Sequence, residues 1–235
     1  MQPTIFDLGM NNGDDTAYYL AKSFRVVAIE ANPYLCKSAG LRFHEEIRSG
    51  ALTILNAAVT DKCQECVFYI NLDNDHWSSL DIQWASRNES RVSPHAINGV
   101  TLSELVRNHG VPHFLKIDIE GGDRSVLEQM TASGIFPAFL SIEDCRFGYE
   151  YLELLYKIGY RRFKLSDQTI VPQQQDPAID HPFMPGSSGM FGNELAGEWR
   201  TFDSFLDHYS KIVRSRETLI KIAAPHVWWD IHCGE

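Results

Sequence analysis

No apolar run in this chain approaches the roughly 20 residues that a membrane-spanning helix requires. Its N-terminus has no basic stretch followed by an apolar segment, so a secretory signal is not expected. Positive charge is scarce: 21 Lys and Arg stand against 31 Asp and Glu, for a formal net charge of -10. A nucleic-acid partner needs a basic footprint that displaces counterions. The short basic spots at Arg161-Arg162 and Arg214 to Arg216 read as solvated faces. Cysteine is sparse and odd in number, at Cys36, Cys63, Cys66, Cys145 and Cys233, which suits a reducing compartment. Cys63 and Cys66 form a C-x-x-C with no second pair to complete a zinc set, so neither metal nor redox work is assigned to them. No internal repeat is evident. These absences describe a cytoplasmic protein with neither membrane nor nucleic-acid partner, and leave its oligomeric state open.

What is present is an α/β rhythm. Strand candidates are Thr4 to Asp7, Val26 to Glu30, Thr53 to Val59, Phe114 to Ile119, Phe139 to Glu143 and Arg162 to Leu165, with a hairpin arm at Val67 to Leu72. Helices are expected at Asp15 to Phe24, Pro33 to Glu46, Leu102 to His109, Asp123 to Ser133, Gly148 to Ile158 and Thr201 to Arg216. VWWDIHC reads as a last strand. At 235 residues the chain suits one domain, residues 1–235. The Gly- and Pro-rich stretch 172–200, inserted before the last strand, is either a lid or substrate loop or an unstructured surface loop.

The most informative segment is IFDLGMNNG, Ile5 to Gly13, followed 17 residues later by the strand-ending Glu30. An apolar strand, a glycine turn and a helix open a ligand crevice in an α/β sheet. Gly9 and Gly13 let the backbone approach a ligand, and a carboxylate at Glu30 can accept hydrogen bonds from two ribose hydroxyls at once. A dinucleotide site would want G-x-G-x-x-G and a helix N-terminus free for pyrophosphate, but here Asp14 and Asp15 occupy that position and would repel it. S-adenosylmethionine fits better, having no phosphate and carrying a sulfonium and an ammonium. A Rossmann-like fold with another ligand, including a nicotinamide dehydrogenase, remains the alternative.

DLGMNNG, AIEANP, NAAV, the Ser78-Ser79-Leu80 segment, GVTLSELV, and above all FLKIDIEGGDRSVLEQM followed by LSIE resemble the FkbM-type S-adenosylmethionine-dependent methyltransferases. The match runs in order through about residues 4 to 165. It departs from the family's pattern at Met10 and Asn12 in the glycine loop. The resemblance implies a class I, Rossmann-like methyltransferase fold, with a mostly parallel seven-stranded sheet, helices on both faces and the cofactor across the strand ends. It implies O-methylation of a hydroxyl on a small molecule, sugar or glycan. Carried over by position, Asp7, Gly9, Asn11 and Gly13 would hold the methionine end of S-adenosylmethionine, Glu30 the ribose, and Asn32 and Ala58 the adenine side, with Ser79 a further contact.

In K-I-D-I-E-G the polar residues fall two apart, so strand geometry would point Lys116, Asp118 and Glu120 to one side. Buried ions are costly unless paired, so Lys116 is expected to neutralise an acid; the alternative is a structural ion pair at a strand end. Methyl transfer needs an aligned acceptor and removal of its proton. Asp118 is assigned to orienting the cofactor ammonium or the acceptor, and Glu120 to the general base. His76 is a second base candidate, and Trp77 beside it a candidate wall for a sugar ring. An alternative resembles the metal-dependent sugar O-methyltransferases, with Asp118, Glu143 and Asp144 around Mg2+; the FkbM pattern does not require it. A cofactor-binding module without catalysis is the reading from another class.

Overall fold

A computed structural model describes residues 2–145 and 147–235. Its first half comprises β1 (Thr4–Leu8), α1 (Asp14–Ala21), β2 (Arg25–Glu30), α2 (Pro33–Arg42), α3 (His44–Ser49) and β3 (Leu52–Asn56). An excursion follows: β4 (Ala58–Val59), β5 (Glu65–Asn71), α4 (Ile82–Ala85) and β6 (Val92–Val100). Then come α5 (Leu102–His109), β7 (Phe114–Ile117), α6 (Asp123–Ser133), β8 (Phe139–Glu143), α7 (Gly148–Ile158), β9 (Arg162–Asp167), β10 (Arg200–Thr201), α8 (Phe202–Ile212) and β11 (Trp229–Gly234).

The main sheet has the order β10-β9-β11-β8-β7-β1-β2-β3. β1 pairs in parallel with β2 and β7, β2 with β3 and β7 with β8, while β11 runs antiparallel between β8 and β9. This is the mostly parallel seven-stranded sheet of the class I methyltransferase fold, with two-residue β10 added at the edge. Because the chain winds one way from β1 to β3 and the other way from β7 to β8, the carboxyl ends of β1 and β7 form the switch point where a ligand crevice opens.

Strand alternation sends side chains to two cores. Phe6, Leu8, Leu115, Ile117, Leu140 and Ile142 pack under α5, α6, α7 and α8, whereas Ile5, Val26, Ala28 and Phe114 pack under α1, α2 and the segment after β9. That segment, residues 174–199, has neither helix nor strand, yet Phe183, Met190, Phe191 and Leu195 are buried. Phe191 stacks flat on Phe114 at 4.0 Å between centroids, and Asp176 receives the Tyr18 hydroxyl and the Lys22 ammonium. Aromatic burial and ion pairing fasten it along α1, in place of the regular structure its composition denies it.

Several element boundaries differ from expectation for local reasons. The Thr53 to Val59 run divides: β3 stays in the main sheet, while β4 joins a separate three-stranded sheet, β4-β6-β5. The Pro33 to Glu46 helix divides at Phe43 (φ -109), whose buried ring packs beside Gly13. β7 stops at Ile117 rather than Ile119, and α8 stops at Ile212 rather than Arg216. β6 went unread because Pro94, Asn98 and Gly99 break its alternation; it pairs with β5 along seven residues all the same. Among the described residues no helix is long and apolar enough to cross a membrane.

Candidate active site

At the end of β1 the chain turns at Gly9 (φ 85), where a Cβ would overlap the carbonyl oxygen of Asp118. Only glycine allows the β1 and β7 ends to approach this closely. Asn11, itself left-handed at φ 50, donates its amide to Glu30 Oε2 at 2.8 Å, and the Asn32 amide donates to Glu30 Oε1 at 2.7 Å. Glu30 is therefore a fixed, buried carboxylate at the tip of β2. Burial pushes its pKa up from 4.5 to about 7, with the Asn32 and Asn11 amides pulling the other way.

Glu30 stands at one end of a cavity of about 530 Å³, within the range of small-molecule sites. Gly9, Asn11, Ile29, Ala31, Ala58, Phe68 and Leu80 line the same cavity. So do Asp118, Glu120, Glu143, His76, Trp77, Trp84 and Arg87, together with Gly186, Lys221 and Trp228 from the chain after β9. The sequence-derived Gly9, Asn11, Glu30, Ala58, Asp118, Glu120 and His76 thus share one cavity.

Four other expected contacts lie behind the wall. Asp7 is fully buried, accepting from the Thr16 hydroxyl at 2.6 Å and the Lys116 ammonium at 3.3 Å. Gly13 sits at the N-cap of α1 against Phe43. Asn32 caps α2 by accepting the Tyr34 amide. Ser79 Oγ donates to the Glu120 carbonyl at 2.6 Å.

Lys116 is buried among Asp7 (3.3 Å), Asp15 (3.4 Å) and Asp118 (3.6 Å), and donates to the Gly9 carbonyl at 3.1 Å. Burial alone would push its pKa down; Asp7, Asp118 and Asp15 outweigh that and hold it well above the ordinary lysine value. The expected neutralising role is met, with three acids in place of one. Burial raises Asp15 to about 6 despite the Lys116 charge, its remaining satisfaction coming from the Ser188 amide.

Glu120 leaves the strand path, since β7 has ended and its own φ is 53. It returns to the Asp118 side through its side chain: carboxylate oxygens of Asp118, Glu120 and Glu143 all lie within 4.8 Å of one another. Glu120 Oε2 accepts the Trp84 indole N–H at 2.6 Å and Arg87 at 3.0 Å. Burial and the neighbouring Asp118 raise its pKa to about 7 against the pull of Arg87 and Trp84. Glu143 is raised well above 4.5 by burial, then by Asp118 and Glu120.

The acid set of the alternative, metal-dependent reading differs in the structure by one residue. Asp144 is buried and both its oxygens are taken, one by the Tyr209 hydroxyl and the other by Arg214 at 3.0 Å. It anchors α8 and the chain beyond it instead of offering a ligand. Glu120 stands in the geometric place of a third acid, but its Oε2 is committed to Trp84 and Arg87, so this trio is not assigned as a magnesium site. His76 lies at the cavity wall with Nε2 3.9 Å from Asp75, and the Trp77 ring is covered by Arg87.

The methyltransferase FkbM domain matches residues 7–202. The chain belongs to that family. No curated relative matches it. Among solved structures, the methyltransferase FkbM from Methylobacillus flagellatus shares 16% identity at a TM-score of 0.43, covering 71% of this chain. This chain spans 40% of that protein's length. The precorrin-6y C5,15-methyltransferase of Geobacter metallireducens shares 9% identity at a TM-score of 0.44, covering 100% of this chain and 80% of its own. A Burkholderia thailandensis 1,6-didemethyltoxoflavin-N1-methyltransferase, bound to 1,6-didemethyltoxoflavin and S-adenosylhomocysteine, shares 11% identity at a TM-score of 0.37, covering 71% of this chain and 64% of its own.

Proposed function

We propose that this protein is an S-adenosylmethionine-dependent O-methyltransferase acting on a hydroxyl of a small molecule, sugar or glycan. The observation that carries the reading is one cavity with an amide-pinned carboxylate at its nucleoside end, Glu30, and an acid pair at its other end, Asp118 and Glu120. Bound there, S-adenosylmethionine supplies an electrophilic methyl group on a positively charged sulfur. Glu30 accepts the ribose hydroxyls, Ala58 lies beside the adenine, and Gly9 and Asn11 give the methionine end room. Asp118, its side chain 37% exposed, binds the ammonium or orients the acceptor. Asp7, Gly13 and Asn32 serve indirectly, through Lys116, the α1 cap and the Glu30 clamp.

Glu120 takes the acceptor proton as the acceptor oxygen bonds to the methyl carbon and the carbon–sulfur bond breaks, giving a methyl ether and S-adenosylhomocysteine. A carboxyl with a pKa of about 7 is well matched to a general base near neutral pH. Trp228, which also lines the cavity, offers a flat wall for a ring-bearing acceptor. Gly186 lines the cavity beside His76, which supports the reading of the 172–200 segment as a lid or substrate loop.

Calorimetry with S-adenosylhomocysteine and NAD in parallel tests the ligand; binding of NAD alone refutes the reading. Methyl transfer to a panel of sugars and phenols tests the reaction. There Glu120→Gln is expected to lower kcat at least 100-fold while leaving S-adenosylhomocysteine binding intact, and an unchanged kcat removes Glu120 as the base. Binding without transfer to any acceptor favours a non-catalytic module.

A further inference from the structure

We propose that Arg87, locked between the indoles of Trp77 and Trp84, is a positioning residue that fixes the Glu120 carboxylate in its working orientation. The inference rests on the reading of Glu120 as the base, and its physical content lies in three contacts from one wall segment. The Arg87 guanidinium lies over the Trp77 ring at 4.7 Å and the Trp84 ring at 4.3 Å, a cation held between two aromatic faces. With its faces covered, its edge donates to the Trp84 carbonyl at 2.9 Å and to Glu120 Oε2 at 3.0 Å. Trp84 Nε1 donates to the same Oε2 at 2.6 Å. Ser79, from the same segment, holds the Glu120 backbone carbonyl.

The arrangement needs explaining because Glu120 is badly placed to hold itself. Its backbone is left-handed at φ 53, which costs a non-glycine residue free energy unless its surroundings enforce it. Gly121 and Gly122 follow and impose no stiffness of their own. Among the described residues, both side-chain donors converge on Oε2, and Oε1 receives none. One oxygen is held and the other is left for a proton. Trp77 and Trp84 line the cavity together with Glu120, so the groups that hold Arg87 border the same space as the proposed base.

Around Glu120 stand Asp118 from its own loop, Asp123 at the start of α6, Glu143 at the end of β8, the buried thiol of Cys145, and Arg87. Of these only Arg87 is a cation, so its removal raises the proton affinity of Glu120 and frees its carboxylate to rotate. The test needs no acceptor. Full-length protein labelled with 13C at glutamate Cδ, saturated with S-adenosylhomocysteine, is titrated by NMR, with Glu120 assigned by its loss in Glu120→Gln. Arg87→Gln is expected to move the Glu120 midpoint to higher pH, Arg87→Lys to restore part of the shift, and Trp84→Phe to move it the same way by a smaller amount. Calorimetry should find S-adenosylhomocysteine affinity unchanged in all three, because the Glu30 carboxylate is held by the Asn11 and Asn32 backbone amides and not by Arg87 or Trp84.

An unmoved midpoint in folded Arg87→Gln and Trp84→Phe overturns the proposal, as does a Lys variant indistinguishable from Gln. Should the wild type fail to bind S-adenosylhomocysteine, the reading of the cofactor falls; the same titration without ligand then still decides whether Arg87 governs Glu120.

Discussion

Replacing Glu30 by Gln separates what burial costs this carboxylate from what it does for a ligand. Burial raises its pKa from 4.5 to about 7 in the folded chain, so folding favours its protonated form. The sign follows: the stabilising contribution is fully present below pH 4.5 and is lost as pH rises through 7. The difference amounts to about 3 kcal/mol. Denaturant unfolding of the ligand-free protein between pH 4.5 and 8 should therefore show wild type losing about 3 kcal/mol more than Glu30→Gln. Asp15, raised to about 6, and Glu120, raised to about 7, slope the same way in both proteins and cancel in the comparison. The Gln amide sets an N–H donor against the Asn11 or Asn32 amide, which costs about 1–3 kcal/mol, so the pH slope rather than absolute stability is the readout. In calorimetry at pH 8 the same substitution should weaken S-adenosylhomocysteine by roughly 10- to 100-fold, from the loss of about 1 kcal/mol for each of two ribose hydrogen bonds when a charged acceptor becomes a neutral one. Parallel pH profiles for the two proteins would refute the buried carboxylate, and unchanged affinity would refute its place at the ribose.

Other substitutions probe the surrounding frame. Gly9→Ala forces a Cβ into the Asp118 carbonyl at a backbone angle of φ 85, and should cost more than about 2 kcal/mol in denaturant unfolding and abolish S-adenosylhomocysteine binding. Asp144→Asn leaves the buried Arg214 without its charge partner; a loss of about 3 kcal/mol is expected by chemical denaturation, whereas a metal ligand on the surface of a cavity would cost little stability. Phe191→Ala removes the ring stacked on Phe114 and should cost about 3–5 kcal/mol; if 174–199 were merely a loose surface loop, the loss would be below 1 kcal/mol.

Legibility in the sequence followed the range of the interactions involved. Helix α6 was readable from an acid at its start, apolar residues at helical spacing and Gly134 at its end, all local signals that the fold leaves intact. Glu30 was readable because its place at the tip of β2, after a glycine turn, is itself local. β6 was not, because its stability comes from seven residues of pairing with β5 and its own alternation is broken. The structural role of Asp144, a ligand only in the alternative metal reading, is not legible because its partners Tyr209 and Arg214 lie 65 and 70 residues away, beyond any spacing rule. The K-I-D-I-E-G alternation failed at Glu120 because the strand ended before it. Trp84 and Arg87 carried no signal at all: an indole and a guanidinium three residues apart on a short helical stretch acquire meaning only when a carboxylate more than 30 positions away meets them.

In the crevice and the layer behind its wall, acid outweighs base: Asp7, Asp15 and Asp118 surround the ammonium of Lys116, while Glu30, Glu120, Glu143 and the buried Asp230 are all raised by burial. Such an excess of buried carboxyl groups is tolerable without a ligand only because several hold protons near neutral pH. A pyrophosphate entering this field would meet like charge, and Asp14 and Asp15 at the start of α1 would deepen the repulsion. A ligand with a sulfonium and an ammonium does the opposite, lowering the proton affinity of each acid it approaches. On the proposed reading, the same charge distribution therefore selects the cofactor and readies Glu120: the cation that brings the methyl group also helps keep the base ionised, with Arg87 supplying the remainder from the acceptor wall.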